Sequence, residues 1–125
     1  MPDSSDLCGT WQLVSASSSD GSEPYAPQPM GRVVLARSAG MMAVLCDGRA
    51  VLPPDTIRAY ASYCGNFRID GDLLITRVDA ALVVERIGGE QVRRFELRGL
   101  DLVLFPPRRA DGSQRELGWR RIADV

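Results

Sequence analysis

Four side chains in this sequence carry donors that could take part in catalysis: Tyr60, Tyr63, Arg77 and Arg94. The phenols of Tyr60 and Tyr63 can orient a carbonyl or act as weak acids. The guanidinium groups of Arg77 and Arg94 can stabilise negative charge that develops on a reacting oxygen. We therefore take these four residues as the candidate catalytic group. The chemistry they suit is the confinement of a flexible substrate beside one or two hydrogen-bond donors.

Two residue types that carry much of enzyme chemistry are absent. The sequence has no histidine, and all 15 of its basic residues are arginines. Ser-His-Asp relays, Cys-His relays and the usual zinc sites need histidine, while Schiff bases and phosphate-binding P-loops need lysine, so all are excluded. No G-x-G-x-x-G follows a strand-like run, so a dinucleotide has no evident binding site. We expect an activity without a cofactor.

The cysteines and the charge balance restrict the function classes further. Cys8, Cys46 and Cys64 form no CxxC pair, so we expect buried thiols in a reducing cytoplasm and no metal site. The net charge of -1 and the scattered arginines argue against nucleic acid as a partner. Residues 1–6 contain no apolar run that would signal secretion or a membrane anchor, and we expect them to be flexible.

Short runs of strand-forming residues dominate the chain and must position these side chains. Turn signals separate the runs, which is typical of an antiparallel sandwich or barrel. The runs cover residues 9–17, 32–37, 41–46, 65–70, 73–79, 82–87, 91–97, 102–105 and 116–122. About nine strands are enough to close an up-and-down barrel of eight, so we predict an all-β, eight- to nine-stranded antiparallel barrel in one domain, residues 1–125.

One helix and one long loop interrupt the strands. Asp55 follows two prolines and suits an N-cap, and Gly65 is a plausible stop, so we predict a short helix between them. On this helix Tyr60 and Tyr63 share one side. They could act as phenol donors, or they could close a barrel mouth as amphipathic plugs. Residues 18–30 form a loop over that mouth, and loops of this length are often functional.

Strand alternation identifies candidate walls for a cavity, because every second side chain points to the same face. Trp11 and Ser15 share a face of the first strand, while Phe95 shares a face with Arg93 and not with Arg94. The sequence leaves open which face is internal, and a solvated strand face is the alternative for each arginine. The candidate ligand-binding residues are Trp11, Ser15, Met42, Phe67, Phe95 and Trp119.

Several segments, taken in order, resemble proteins of the lipocalin-like domain family, a bacterial and fungal group. The opening run Gly9-Thr10-Trp11-Gln12-Leu13-Val14-Ser15 is similar to the first strand of that family. The later segments are Pro29-Met30-Gly31, Gly40-Met41-Met42, Tyr63-Cys64-Gly65, Asp70-Gly71-Asp72 and Gln91-Val92-Arg93-Arg94-Phe95-Glu96-Leu97. The resemblance implies a small closed barrel with an internal cavity. It also implies that Trp11 packs at the closed end under Arg121 or Arg120.

Two functions fit such a container. The first is a cofactor-independent cyclase or isomerase that folds a largely apolar, polyketide-like natural-product intermediate inside the barrel. The second is a non-catalytic carrier or sensor of a small hydrophobic molecule. An inward arginine or tyrosine favours the enzyme, and an unbroken apolar lining favours the carrier. A barrel filled by its own side chains is a third outcome. Neither function involves a membrane, and the chain is expected to be a monomer or a homodimer.

Overall fold

The fold is a closed barrel of eight antiparallel strands in a computed structural model that describes residues 3–124. Each strand pairs with its neighbours in sequence, and the last strand pairs with the first. The strands are β1 (Gly9–Ser18), β2 (Pro29–Leu35), β3 (Gly40–Asp47), β4 (Tyr60–Asp70), β5 (Leu73–Ala81), β6 (Glu90–Arg98), β7 (Asp101–Phe105) and β8 (Arg115–Ala123). The predicted fold class, an eight- to nine-stranded barrel with one short helix, is confirmed.

The core is formed by side chains at alternate strand positions, which point into the barrel. On β1 Trp11 and Leu13 are buried while Gln12 and Val14 are exposed, which is the period of two expected for a strand with one face inside. The other strands contribute buried side chains in the same way. The core includes Val33, Leu35, Met41, Ala43, Leu45, Phe67, Leu74, Phe95, Leu102, Leu104 and Trp119.

A single helical turn closes one end of the barrel. The short helix α1 (Ser4–Leu7) begins after the N-cap Asp3, whose carboxylate accepts from the backbone N–H groups of Ser5 and Asp6. Residues 3–6 belong to the segment 1–6 that is expected to be flexible. Residues 1 and 2 of that segment lie outside the described part of the chain. Leu7, the last residue of this helix, is fully buried. The chain therefore enters β1 through a capped helical turn.

Trp11 lies directly beneath this cap. Its indole Nε1 donates a 3.0 Å hydrogen bond to the carbonyl oxygen of Leu7, and the side chain is fully buried. The guanidinium carbon of Arg121 lies 4.3 Å from the centre of the indole ring. Arg121 also donates to the carbonyl oxygens of Cys8 and Asp6. The expected stacking of Trp11 under a late arginine is confirmed, and Arg121 is the partner.

The helix predicted to start at Asp55 is wrong in position. Residues 48–59 form a loop, Asp55 has a left-handed φ of 61°, and the following residues belong to β4. β4 pairs with β3 on one side and with β5 on the other, so its backbone groups are satisfied as a strand. Ile57, Ala61 and Cys64 stand at helical spacing in the sequence, but Ile57 is almost fully exposed, so this spacing does not mark a buried helix face.

The predicted strand at 82–87 is also absent. β5 ends at Ala81, and the segment after it contains a 3₁₀ turn at Val84–Arg86. Val84 and Ile87 are exposed there, so the apolar run buries no face that would favour a strand. The other eight predicted runs correspond to the eight strands. Within residues 3–124, no helix has the length and apolar character needed to cross a membrane.

Candidate functional site

The candidate site lies at the end of the barrel opposite α1. Four loops surround this open end, at residues 19–28, 48–59, 82–89 and 106–114. The strands that reach it do so at the end of β1, β3, β5 and β7 and at the start of β2, β4, β6 and β8. Side chains at these strand ends can face the barrel interior and still lie near solvent. The open end is therefore where a small molecule can enter.

An internal cavity of about 120 Å³ lies below the open end. One part of its wall is apolar and is built from Val33, Ala43, Leu45, Ala61, Leu104, Pro106 and Leu117. The other part carries polar groups from Tyr25, Tyr63, Arg86, Arg93, Arg115 and the indole of Trp119. The wall of the cavity is thus not apolar throughout, and the side chains of the barrel do not fill the cavity.

A wider depression of about 450 Å³ adjoins the cavity on its outer side. Arg86, Arg93, Pro106 and Arg115 line both spaces, so they form the boundary between the interior and the outside. The cavity alone is smaller than the roughly 300–1,000 Å³ of typical ligand pockets. A ligand with one part in the cavity and the other part in the depression would occupy a volume in the range of typical ligand pockets.

Two tyrosines face the cavity from different elements. Tyr63 points inward from β4 opposite Ala43, and Tyr25 reaches in from the first loop with a left-handed φ of 63°. Burial raises the pKa of the Tyr63 phenol, and burial also raises the pKa of Tyr25. Both phenols are therefore protonated at neutral pH. They can donate hydrogen bonds to a ligand and are poor proton donors in a full transfer.

Three arginines lie at the boundary of the cavity, and none of them has a carboxylate partner in the described part of the chain. Within the described residues, Arg86, Arg93 and Arg115 form no ion pair, and the ion pairs present use other arginines. Arg86 donates to Oε1 of Gln91 at 3.2 Å, and Arg93 donates to the carbonyl of Val92 at 3.2 Å. Burial lowers the pKa of Arg93, but a guanidinium keeps its proton at neutral pH. The boundary is therefore positively charged.

Several buried donors around the cavity lack a partner in the described part of the chain. They are Nε of Arg115, Nε2 of Gln91 and Nε1 of Trp119. Gln91 and Trp119 are more than nine-tenths buried as whole residues. An unpaired buried donor costs about 1–3 kcal/mol, so three in one place need an explanation.

Four of the sequence-predicted wall residues lie inside the barrel, but only one lines the cavity. Trp119 is part of the cavity wall. Trp11 is in the cap at the closed end, and Phe67 lines a surface pocket beside that cap. Phe95 is buried in the core, paired with Leu104. Trp119 therefore lies near the open end, whereas the other three lie in the core or at the closed end.

The remaining two wall residues lie outside. Met42 is 62% exposed, on the outer face of β3. Ser15 is exposed because a bulge between Leu13 and Ser15 shifts the β1–β8 register by one residue. After a one-residue shift every following side chain changes face. Simple alternation from Trp11 therefore fails at this point in β1.

Among the predicted catalytic residues, Tyr63 faces the cavity, and the other three lie on the outer surface. Tyr60 is three residues from Tyr63, which means the same side on a helix but opposite faces on a strand. Arg77 is exposed on β5. Arg94 is exposed on β6 and covers the ring of Phe105 at 3.8 Å.

Sequence reasoning missed most of the polar cavity wall. Arg93 was recognisable, because it shares a face with Phe95 and with Gln91 at the start of β6. Arg115 lies just before the run predicted for the last strand, and Arg86 lies in a run predicted as a strand. Tyr25 belongs to an irregular loop, where no periodicity indicates the direction of a side chain.

A family match and one solved structure agree with this architecture. The lipocalin-like domain family matches the sequence over residues 8–122. A lipocalin-like protein from Bacteroides uniformis has a similar crystal structure, with a TM-score of 0.55 and 16% identity, covering 94% of this chain and 99% of the other. A point mutant of the fluorescent protein UnaG gives a TM-score of 0.45 and 13% identity, covering 92% of this chain and 95% of the other. No curated protein matches the sequence.

Proposed function

Because this chain belongs to the lipocalin-like domain family, we propose that it binds one small, largely apolar molecule at the open end of its barrel, as a carrier or sensor. The observation that supports the proposal is the internal cavity, which has an apolar wall and continues into the outer depression between Arg86, Arg93 and Arg115. A pocket with mostly apolar walls and a few polar groups is the usual form of a small-molecule site.

The shape of the site sets the size of this molecule. The 120 Å³ cavity accommodates a short apolar part against Val33, Leu45 and Leu104. The polar part then lies at the boundary, and the rest of the molecule occupies the outer depression. Closure of the sheet and the cap at Trp11 leave the open end as the entry route.

Filling the cavity tests this proposal. Ala61 lines the cavity from β4, so Ala61→Phe places a ring where the apolar part would bind. We expect neutral straight-chain alcohols, from 1-hexanol to 1-dodecanol, to bind the wild-type protein with one site, measured by titration calorimetry. We expect Ala61→Phe to weaken that binding at least about tenfold, the loss of roughly 1.4 kcal/mol.

Ala80→Phe is the matched control, because Ala80 lies on the outer face of β5 in a shallow surface groove. Its affinity for the alcohols should equal that of the wild type. Both variants should unfold cooperatively, since Ala61 is only half-buried at the rim of the barrel. Unchanged binding in Ala61→Phe, or no saturable binding by any variant, contradicts the proposal.

Catalysis is the second candidate, in the form of a cyclase or isomerase acting on a polyketide-like natural-product intermediate. The observation that favours it is the protonated phenol of Tyr63 in the same cavity as the guanidinium of Arg93. A cyclisation or isomerisation rearranges the substrate's own bonds, so it needs no oxidant or reductant. Two fixed donors beside a carbonyl oxygen stabilise the charge that such a reaction develops.

Tyr63→Phe separates this candidate from simple binding. If the barrel is an enzyme, wild-type protein converts a β-keto or polyene substrate, and Tyr63→Phe lowers the turnover rate about a hundredfold, as loss of one oxyanion donor does. The affinity for 1-octanol, which does not react, should fall far less than the turnover rate. Product analysis by mass spectrometry measures the turnover. The absence of product with every substrate, together with saturable binding, decides for the carrier.

A further inference from the structure

We infer that the natural ligand is an apolar carboxylic acid whose carboxylate is bound between Arg93 and Arg115 at the cavity boundary. This inference rests on the proposed binding function and names the chemical class of the ligand. It comes from the balance of charge and of hydrogen-bond donors at the open end.

Three separate elements bring the positive charges together. Arg93 projects from β6, Arg115 from the start of β8, and Arg86 from the 3₁₀ turn after β5. All three line both the cavity and the depression, and Arg93 and Arg115 are half-buried. The three like charges that share this boundary repel each other, and two of them, Arg93 and Arg115, are partly removed from water. This arrangement lowers the stability of the empty barrel unless an anion is present.

The acidic residues near this boundary do not neutralise it. Glu85 and Glu90 line the outer depression. The carboxylate of Glu90 is engaged by Arg68 at 2.5 Å on the outer surface. Within residues 3–124, Glu85 forms no ion pair with any of the three arginines at a distance of 4 Å or less. The positive charge is therefore left for a ligand.

The hydrogen-bond donors of the site that lack a partner point to the same conclusion. Nε of Arg115, Nε2 of Gln91 and Nε1 of Trp119 can only donate, and none has a partner in the described part of the chain. The Oε1 atom of Gln91 accepts from Arg86 and so does not satisfy the ligand's donors. The site thus offers donors almost exclusively, and the ligand has to supply acceptors.

A carboxylate fits this set better than a neutral polar group. Its two oxygens offer about four lone-pair sites, and its planar shape matches the fork of a guanidinium. A hydroxyl would leave the charge of the arginines uncompensated and would bring a donor of its own. The apolar wall excludes a ligand that is charged along its length. A monoanion with an apolar tail satisfies both parts of the site.

Comparing acids with alcohols of the same length tests this inference. The probes are hexanoate, octanoate and dodecanoate against 1-hexanol, 1-octanol and 1-dodecanol, measured by titration calorimetry at neutral pH. We expect each acid to bind the wild type about thirtyfold more tightly than its alcohol, because hydrogen bonds to charged groups contribute about 1.5–3 kcal/mol. Added NaCl should weaken the binding of the acids and leave the affinity for the alcohols unchanged.

The arginine variants locate the carboxylate. Arg93→Gln and Arg115→Gln should each reduce the preference for the acid over the alcohol of the same length to within about threefold. Arg98→Gln is the matched control, because Arg98 lies on the same strand as Arg93 but is exposed, where it pairs with Glu96. It should keep the full preference.

The outcomes separate this inference from the proposed function. Equal affinity for acids and alcohols in the wild type overturns the carboxylate and leaves the binding function intact. Preference for the acid that survives in both Arg93→Gln and Arg115→Gln also overturns it. Failure of every probe to bind removes the proposed function as well. If one glutamine variant does not fold, the other variant and the salt dependence still decide.

Discussion

Trp11→Ala should lower the free energy of unfolding by about 4 kcal/mol, which is a large part of the stability of a small domain. The substitution empties the fully buried space beneath α1. It also removes the hydrogen bond from Nε1 to the carbonyl of Leu7 and the ring beneath Arg121. Urea unfolding followed by circular dichroism measures the loss. A loss below about 2 kcal/mol would show that the cap does not depend on the indole.

The two tryptophans provide an internal comparison, because both are fully buried and they differ in the hydrogen bonding of Nε1. Trp11→Phe and Trp119→Phe remove the same atoms from two fully buried positions. In Trp11→Phe the carbonyl of Leu7 loses its donor, whereas Nε1 of Trp119 has no partner among residues 3–124. We therefore expect Trp11→Phe to cost about 1 kcal/mol more than Trp119→Phe. Equal losses would contradict the assigned hydrogen bond.

Gly65→Ala should cost about 3 kcal/mol or more, because it forces two paired strands apart. A Cβ atom at Gly65 would overlap the carbonyl oxygen of Arg77 on β5 and lie 3.2 Å from Cα of Val78. These are backbone atoms, and β5 is held by β6 on its other side, so they cannot turn away. The register of β4 against β5 also shifts between Cys64 and Gly65. Forcing the strands apart there would displace Tyr63.

Gly40→Ala is the matched control for this position. Gly40 also lies in a strand, and a Cβ atom there would meet only Oγ of Ser38 at 3.6 Å, an ordinary contact. Its free energy of unfolding should change by less than about 1 kcal/mol. Thermal and urea unfolding of both variants provide the comparison. Similar losses at the two glycines would mean that strand propensity, and not close approach, limits position 65.

The elements that could be predicted from the sequence are those specified by local chemistry. Gly71 has a left-handed φ of 62° in the turn between β4 and β5, as the Asp-Gly pair indicates. Trp11 and Leu13 alternate with exposed residues, as a strand with one buried face requires. These features depend on neighbours in sequence, so the sequence displays them directly.

The elements that were not predicted depend on contacts between distant parts of the chain. The start of β4 has apolar residues at helical spacing, and pairing with β3 and β5 makes it a strand. The bulge at Ser15 arises against β8, which lies far away in the sequence. Which face of β6 points inward depends on the closed barrel as a whole, which buries Phe95. That choice places Arg93 inside and Arg94 outside.

Pairing between β1 and β8 also determines when the proposed binding site is completed during synthesis. Thr10 pairs with Ala123 and Ser18 with Arg115, whereas the other strand pairs join neighbours in sequence. Neighbouring strands can pair as they leave the ribosome, but this last pairing requires β8 to have emerged. Arg115 and Trp119 lie on β8, so the cavity is incomplete until that moment. A ligand that binds there holds the final strand in place, and it links occupancy of the site to completion of folding.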